Sequence, residues 1–545
     1  MKSLPFVAPF PIGGVSERYG YAAQSQGTTP EALNVFPTDW TTGRERGGTR
    51  PGRVAFGSNV GARPYGWCPV SYVTEPTSGN FVTNRGVAVC TASGTYTHTA
   101  FNTPATSWTQ RIATSPASDF ATCEMFLQTL VQTSTGQQYP QLKWMSYGSN
   151  PWSADGDLDT VVGAYNTANT PDPLLPRGNN LPQYCGLVAI HNGRLVFSGS
   201  KKAPHIVYMS RTANPVDYDF SAIDVGGAIA TSTGLGGRIS EPVTALITHN
   251  QDCLLVGCTD SLYVIRGNLR AGGQIYVLSH THGPLMQSAW CKTGNEWTFL
   301  LTREGLFRMP PGCGVPMEPA STQVLPDDLV GINPGSTLSR SGLSGDRVAM
   351  GYDARFRGIH IYTWTADGGK KGWFHDLQSG GFWPILFGTG ETWTGGAIEL
   401  CVPYKATMTA NRSGLLLIDQ AGNTYVLDRS DTSDSFTAKL TMGPLDIGGS
   451  PHTEGVLASV GAVLSEASGE VAWDAVTADS AQQAFLSPSQ TFTGDPWDVQ
   501  GLNYLQHPRV RGVSGYLKLS SSGTTRWQTE EVFGIAEAAS MRRVD

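Results

Sequence analysis

The sequence predicts an all-β fold of repeated antiparallel hairpins, and three observations carry the prediction. Gly (65) and Pro (34) make up about 18% of the 545 residues, against roughly 12% in average usage. Charged residues are 15%, where about 25% is typical, so Ser, Thr, Asn and Gly stand where exposed helix faces would carry Glu, Lys and Arg. Apolar runs of strand length also recur along the chain, each turning back on itself across a Gly, Asn or Asp. Aromatic residues, at 10%, are spread over the whole length, which sets the chain apart from a disordered one.

Positions 1–60 read as an extended arm, expected to pack with the C-terminal domain or with a neighbouring subunit. Arg44, Arg46, Arg50 and Arg53 fall among Gly43, Gly47, Gly48, Pro51 and Gly52, a density of breakers that no helix survives. Glu45 is the only acid among them, and a guanidinium forks onto carboxylates and carbonyls. These four arginines are therefore expected to dock onto a partner subunit, ahead of serving a solvated loop or touching DNA.

Positions 61–440 carry the hairpins. The clearest is Leu187–His191, then Asn192-Gly193, then Arg194–Phe197, because a type I′ turn needs φ > 0 at both centres and Asn-Gly accepts it. Phe81–Thr83 is expected to return as Val87–Val89 around Asn84-Arg85-Gly86, and Leu254–Val256 as Leu262–Ile265 around Asp260. Thr298–Leu301 pairs with Leu306–Arg308 after Gly305, and Val348–Met350 with Ile359–Tyr362 after Gly358. Leu415–Ile418 pairs with Thr424–Leu427 after Gly422. Those turn markers lie 107, 67, 45, 53 and 64 residues apart. A propeller blade takes about 40–50 residues, so the series predicts a β-propeller of roughly six to eight blades. Stacked sandwiches are the competing arrangement, and the unit spacing is long for them.

Positions 441–545 read as a smaller β-sandwich, with strands at Val456–Leu464, Val471–Val476, Tyr516–Ser520 and Arg526–Val532. Ile535–Arg543 reads as a short helix.

Candidate chemistry is sparse. Asp155, Asp157 and Asp159 resemble the start of a calcium loop, yet Thr160 and Asn166 stand where an EF-hand needs Gly and Glu. His280 and His282, with Cys291 nearby, have no third ligand at a telling spacing. Thr365, Asp367, Gly368, Gly369 and Trp373 form one degraded copy of the turn found in sialidase-like propellers, where its role is structural. Asp327-Asp328 reads as a turn after Pro326. No nucleophile elbow, P-loop or dinucleotide fingerprint occurs. The expectation is a protein without enzymatic activity, metal or cofactor.

The nine cysteines, at 68, 90, 123, 185, 253, 258, 291, 313 and 401, include no CxxC pair, which points to buried thiols and a reducing compartment during folding. A net charge of −7 offers no global basic field for tight nucleic-acid binding. No signal peptide and no run of 18 apolar residues is present, so no membrane insertion is expected.

The segments Ala32–Pro37 and Thr42–Gly52 resemble the start of tail nozzle or tail-tube proteins of short-tailed bacteriophages, structural proteins that contain a β-propeller. Leu517–Gly523, followed by Arg526-Trp527-Gln528 and Glu530, is similar to the closing strands of such virion proteins. The resemblance implies a homohexameric ring in the virion tail, assembled in the host cytoplasm and forming the distal channel for genome ejection. It further implies contacts with portal or adaptor and with tail fibre or spike proteins, DNA passing non-specifically, and a channel wall richer in acidic and polar groups than in Lys and Arg. Fourteen Trp and nineteen Tyr, whose faces stack on sugars, leave a carbohydrate-binding or carbohydrate-hydrolysing propeller as the alternative.

Overall fold

The computed structural model describes residues 2–25, 27–39, 43–44, 46–74, 82–91, 93–98, 107–112, 123–131, 138–147, 151–155, 160–164, 182, 185–200, 202–214, 217–312, 317–320, 325–334, 345–388, 390–405, 413–428, 434–450 and 452–541. Of the Asp155-Asp157-Asp159 reading, Asp157 and Asp159 lie outside the described residues.

The chain is all-β. Among the described residues, seven four-stranded antiparallel sheets follow one another as blades. Blades one to six begin with the strands Pro64–Thr74, Cys123–Val131, Cys185–His191, Val243–Thr248, Trp290–Lys292 and Arg347–Asp353. Blade seven takes Ile398–Lys405, Ser413–Asp419 and Thr424–Asp428 from this end of the propeller, and its fourth strand, Gly52–Ala55, from the arm. The first strand of blade seven lies against that of blade one, which closes the ring. A closed ring packs the first and last blades against each other and leaves only the short outer edges of the blades.

The Asn192-Gly193 hairpin forms as expected, with φ of 49° and 67° at the two turn residues and His191 paired to Arg194. The pairings around Asp260, Gly305, Gly358 and Gly422 also form. Asn84-Arg85-Gly86 does not turn. Val82–Thr91 is one strand, with Gly86 opposite Val70, and the chain reverses later before Gly94. Pairing along ten residues outweighs a weak local turn signal.

The remaining chain folds as a β-sandwich of two five-stranded sheets. One runs Lys2–Ala8, Thr529–Met541, Thr453–Leu464, with Gly501–Leu502 and Val510–Gly512 both on its far edge. The other runs Ala32–Leu33, Ala438–Asp446, Ser514–Ser521, Ala472–Ala478, Gln490–Thr493. The arm thus supplies an edge strand to each sheet before it completes blade seven. The stretch Ile535–Arg543, expected as a helix, is instead strand as far as Met541, the last described residue, paired by Lys2–Ala8 on one side and Thr453–Leu464 on the other, so tertiary pairing overrides the helix propensity of its alanines. The α-helix found among the described residues is Ala481–Leu486, capped where the Ser480 hydroxyl accepts from Gln483 N–H.

A single apolar cluster runs through both domains. It joins Trp473, Trp497, Trp527 and Leu517 of the sandwich to Tyr362, Phe374, Trp383, Phe387 and Leu417 of blades six and seven, with Val35 and Phe36 of the arm between them. Phe36 stacks on Phe374 at 4.2 Å and Phe10 on Trp383 at 5.6 Å. Continuous burial of this kind makes propeller and sandwich one body.

Candidate functional site

Two places concentrate polar chemistry. The first is the junction of arm, propeller and sandwich, where the four arginines lie. Arg50 is fully buried. Its guanidinium donates to Asn34 Oδ1 (2.9 Å), the Pro51 carbonyl (2.8 Å), Asp434 Oδ2 (3.0 Å) and the Leu386 carbonyl (3.3 Å). It also covers the Phe436 ring at 3.8 Å, whose other neighbour is the Arg526 guanidinium at 4.0 Å. Burial pulls the Arg50 pKa down to about 10, with Asp434 opposing the shift, so the group stays charged at neutral pH.

Arg53 lies over Phe387 and Tyr425 at 4.9 and 4.6 Å, and its N–H donates to Asp434 Oδ2. Arg46 pairs with buried Asp39 at 2.7 Å and with Glu530. Arg44 is exposed, and its carbonyl accepts from the Asp39 N–H at 2.7 Å. The docking surface of Arg46, Arg50 and Arg53 is therefore internal to this chain. Sequence reasoning recognised the guanidiniums but not Asp39, Asp434 and Glu530, because the acids lie close in space and, for two of them, hundreds of residues away in sequence.

The second place is one mouth of the propeller. The turns between first and second strands of blades three, four and five converge around a concavity of about 1030 Å³, lined by His191, Asn192, Asn250, Asp252, Lys292 and Glu296 among others. Asn250 Oδ1 accepts from the N–H groups of Asp252 and Cys253 (2.9 and 2.8 Å), which fixes that turn. Lys292 Nζ donates to the His249 carbonyl at 2.6 Å. Burial lowers the His191 pKa to about 4 and lowers that of His249 as well, so both rings are neutral at pH 7. The lining offers amides, two carboxylates and one ammonium, a hydrogen-bonding surface for a polar ligand.

The other candidates take structural roles. His280 and His282 lie beyond the strand that ends at Ser279, and His282 bonds Ser279 Oγ (2.8 Å) and Glu304 (2.9 Å) while Cys291 is buried. Among the described residues no group of three His, Cys, Asp or Glu is placed to hold a metal ion. Thr365 to Gly369 is a turn in which the Thr365 hydroxyl bonds Asp367 and the Gly369 carbonyl. Asp327–Leu329 is a 3-10 turn, with Asp328 paired to Lys371. Cys253, expected as a buried thiol, is disulfide-bonded, whereas Cys258 in the same strand is a free buried thiol. No described helix is long and apolar enough to cross a membrane.

No family model matches the chain, and no curated protein matches it. Solved structures are similar at low identity. The extracellular domain of a hybrid two-component system of B. thetaiotaomicron is 10% identical, with a TM-score of 0.40, over 84% of this chain and 49% of that one. The extracellular domain of a one-component system from the same organism is 11% identical, with a TM-score of 0.38, over 77% of this chain and 45% of that one. The chain thus spans about half the length of each. The Dos1 propeller is 11% identical, with a TM-score of 0.31, over 70% of this chain and 94% of that one.

Proposed function

We propose that this chain is a structural subunit of a virion: one copy in a ring-shaped tail nozzle or tube, forming the distal DNA-ejection channel of a short-tailed bacteriophage. The observation that carries this reading is the course of the arm. The segment that resembles nozzle proteins edges one sandwich sheet through Ala32–Leu33 and leads directly into Gly52–Ala55, the strand that completes blade seven. A body fastened in this way suits a subunit under mechanical load, and it fits a role without a catalytic step. In this reading the ring has about six copies and closed symmetry. Portal or adaptor proteins stand above it and fibre or spike proteins around it, and DNA passes a wall that is acidic and polar.

Electron microscopy and native mass spectrometry of the purified full chain test the proposal. Rings of about six copies with an axial channel are expected. A protein that stays monomeric at high concentration overturns it.

One observation favours a second reading. The amide and carboxylate lining of the propeller mouth suits hydrogen bonding to sugar hydroxyls, as a carbohydrate-binding module would need. Saturable glycan binding that is lost in Asn250→Ala and Asp252→Ala, by a monomeric protein, would establish that reading in place of the first.

A further inference from the structure

Ten large apolar side chains are strongly exposed among the described residues, and five of them, Leu486, Val499, Leu502, Tyr504 and Leu505, fall within positions 486–505. An even spread over the chain would place fewer than one there. Tyr504 is 89% exposed and Leu502 66%. Single exposed hydrophobics need no explanation, but a contiguous group marks an interaction surface.

The position of this group in the sandwich is specific. Leu502 belongs to Gly501–Leu502, which pairs with Val463 and Leu464 at one edge of the first sheet. Asn503 N–H and Gln506 N–H bond the Ala462 and Val460 carbonyls, so the whole loop follows that edge. The opposite edge of the same sheet is Lys2–Ala8, where Val7 is 57% exposed and Ile12 follows just beyond. Pro5 lacks an N–H and interrupts this edge, so apolar side chains rather than a continuous hydrogen-bond ladder would carry a contact here. Formal charges are complementary. Lys2 is the only charged residue in positions 1–16, whereas Asp495 and Asp498 are the only ones in 494–506.

Two unlike, complementary patches on opposite edges of one sheet suit a heterologous contact, and heterologous contacts generate rings where the rotation from copy to copy closes and open filaments where it does not. We propose that copies of this chain join head to tail through the sandwich, the Lys2–Ala8 edge of one copy seating against Leu502, Tyr504 and Leu505 of the next. This inference rests on the ring reading above and names the surface that builds the ring.

The test uses the full chain, with near-ultraviolet circular dichroism confirming that each variant is folded. Val7→Asp disables one edge, and Leu502→Ser with Tyr504→Asp disables the other. Each variant alone is expected to associate at least ~30-fold more weakly than the unaltered chain in sedimentation or native mass spectrometry. Mixed together they should form a heterodimer and nothing longer, since each retains the edge the other lacks. Ile223→Asp, on an exposed loop of blade three, should leave assembly unchanged. If the edge variants assemble like the unaltered chain, the sandwich contact is wrong while the ring reading stands. An unaltered chain that never assembles removes both.

Discussion

Arg50 Nε donates to Asn34 Oδ1 at 2.9 Å, and the same oxygen accepts the Leu386 N–H at 2.8 Å, so one amide ties the arm to blade six. Asn34 also donates from Nδ2 to the Thr437 carbonyl at the entry to the sandwich. Its φ of 55° is left-handed, a conformation asparagine tolerates better than most residues. Arg50 adds the ion pair with Asp434, at side-chain exposures of 0% and 8%. Three parts of the chain therefore meet on two side chains.

Removing Arg50 leaves Asp434 buried without its charge partner. Arg50→Ala is expected to destabilise by ~3–5 kcal/mol, read from the shift in denaturant midpoint, because a desolvated carboxylate is left uncompensated. Arg50→Lys should recover only part of this, since an ammonium lacks the planar fork that reaches Asn34 and Asp434 together. A loss below about 1 kcal/mol for Arg50→Ala would show that the junction relaxes around the gap.

Removal of the arm should be far more severe. A chain beginning at residue 61 lacks the fourth strand of blade seven and one edge strand of each sandwich sheet. It should show no cooperative unfolding transition and should aggregate through its opened edges. A soluble, cooperatively unfolding protein of that length would mean that the arm is an addition and not part of the fold.

Buried histidines make stability depend on pH. Burial lowers the His191, His360 and His375 pKa values to about 4, below the ordinary 6.5. The unfolded chain then binds more protons than the folded one below pH 6.5, so stability is full above 6.5 and falls as pH drops towards 4. Each ring contributes on the order of 2–3 kcal/mol across that window. Denaturation midpoints measured from pH 7.5 to 4.5 should decline steadily, and a flat profile would argue that the rings are solvated.

Arg194 offers a local prediction. Although buried, it forms no carboxylate ion pair among the described residues, and it donates instead to the carbonyls of Ser210, Gly227 and Val225 at 2.7, 2.7 and 3.0 Å. Arg270 holds the same loop through the Ala228 carbonyl at 2.6 Å. Arg194→Met should free positions 220–228, and amide exchange there should accelerate at least ~10-fold while blade six is unchanged. Uniform acceleration over the whole propeller would instead indicate global destabilisation.

Hairpins with short, strong turns were legible in the sequence because every determinant is local. Asn192-Gly193 accepts positive φ at both positions, and the runs beside it are apolar enough to bury on both faces. Gly86 misled for the opposite reason: a glycine marks a turn only if the flanking strands stop, and here they pair onward to Thr91. The alanines after Ile535 misled in the same way, because two flanking strands contribute more than intrinsic propensity.

By itself the sequence determined the all-β class, the propeller period and the extended character of the arm, all set by composition, turn chemistry and spacing over a few residues. Tertiary structure alone decided that Gly52–Ala55 completes blade seven, that Lys2–Ala8 edges a sandwich sheet, and that Arg50 faces Asp434. Each of these pairings spans hundreds of residues. Strand pairing and ion pairing depend on distance in space, and no local pattern encodes which distant partner will arrive.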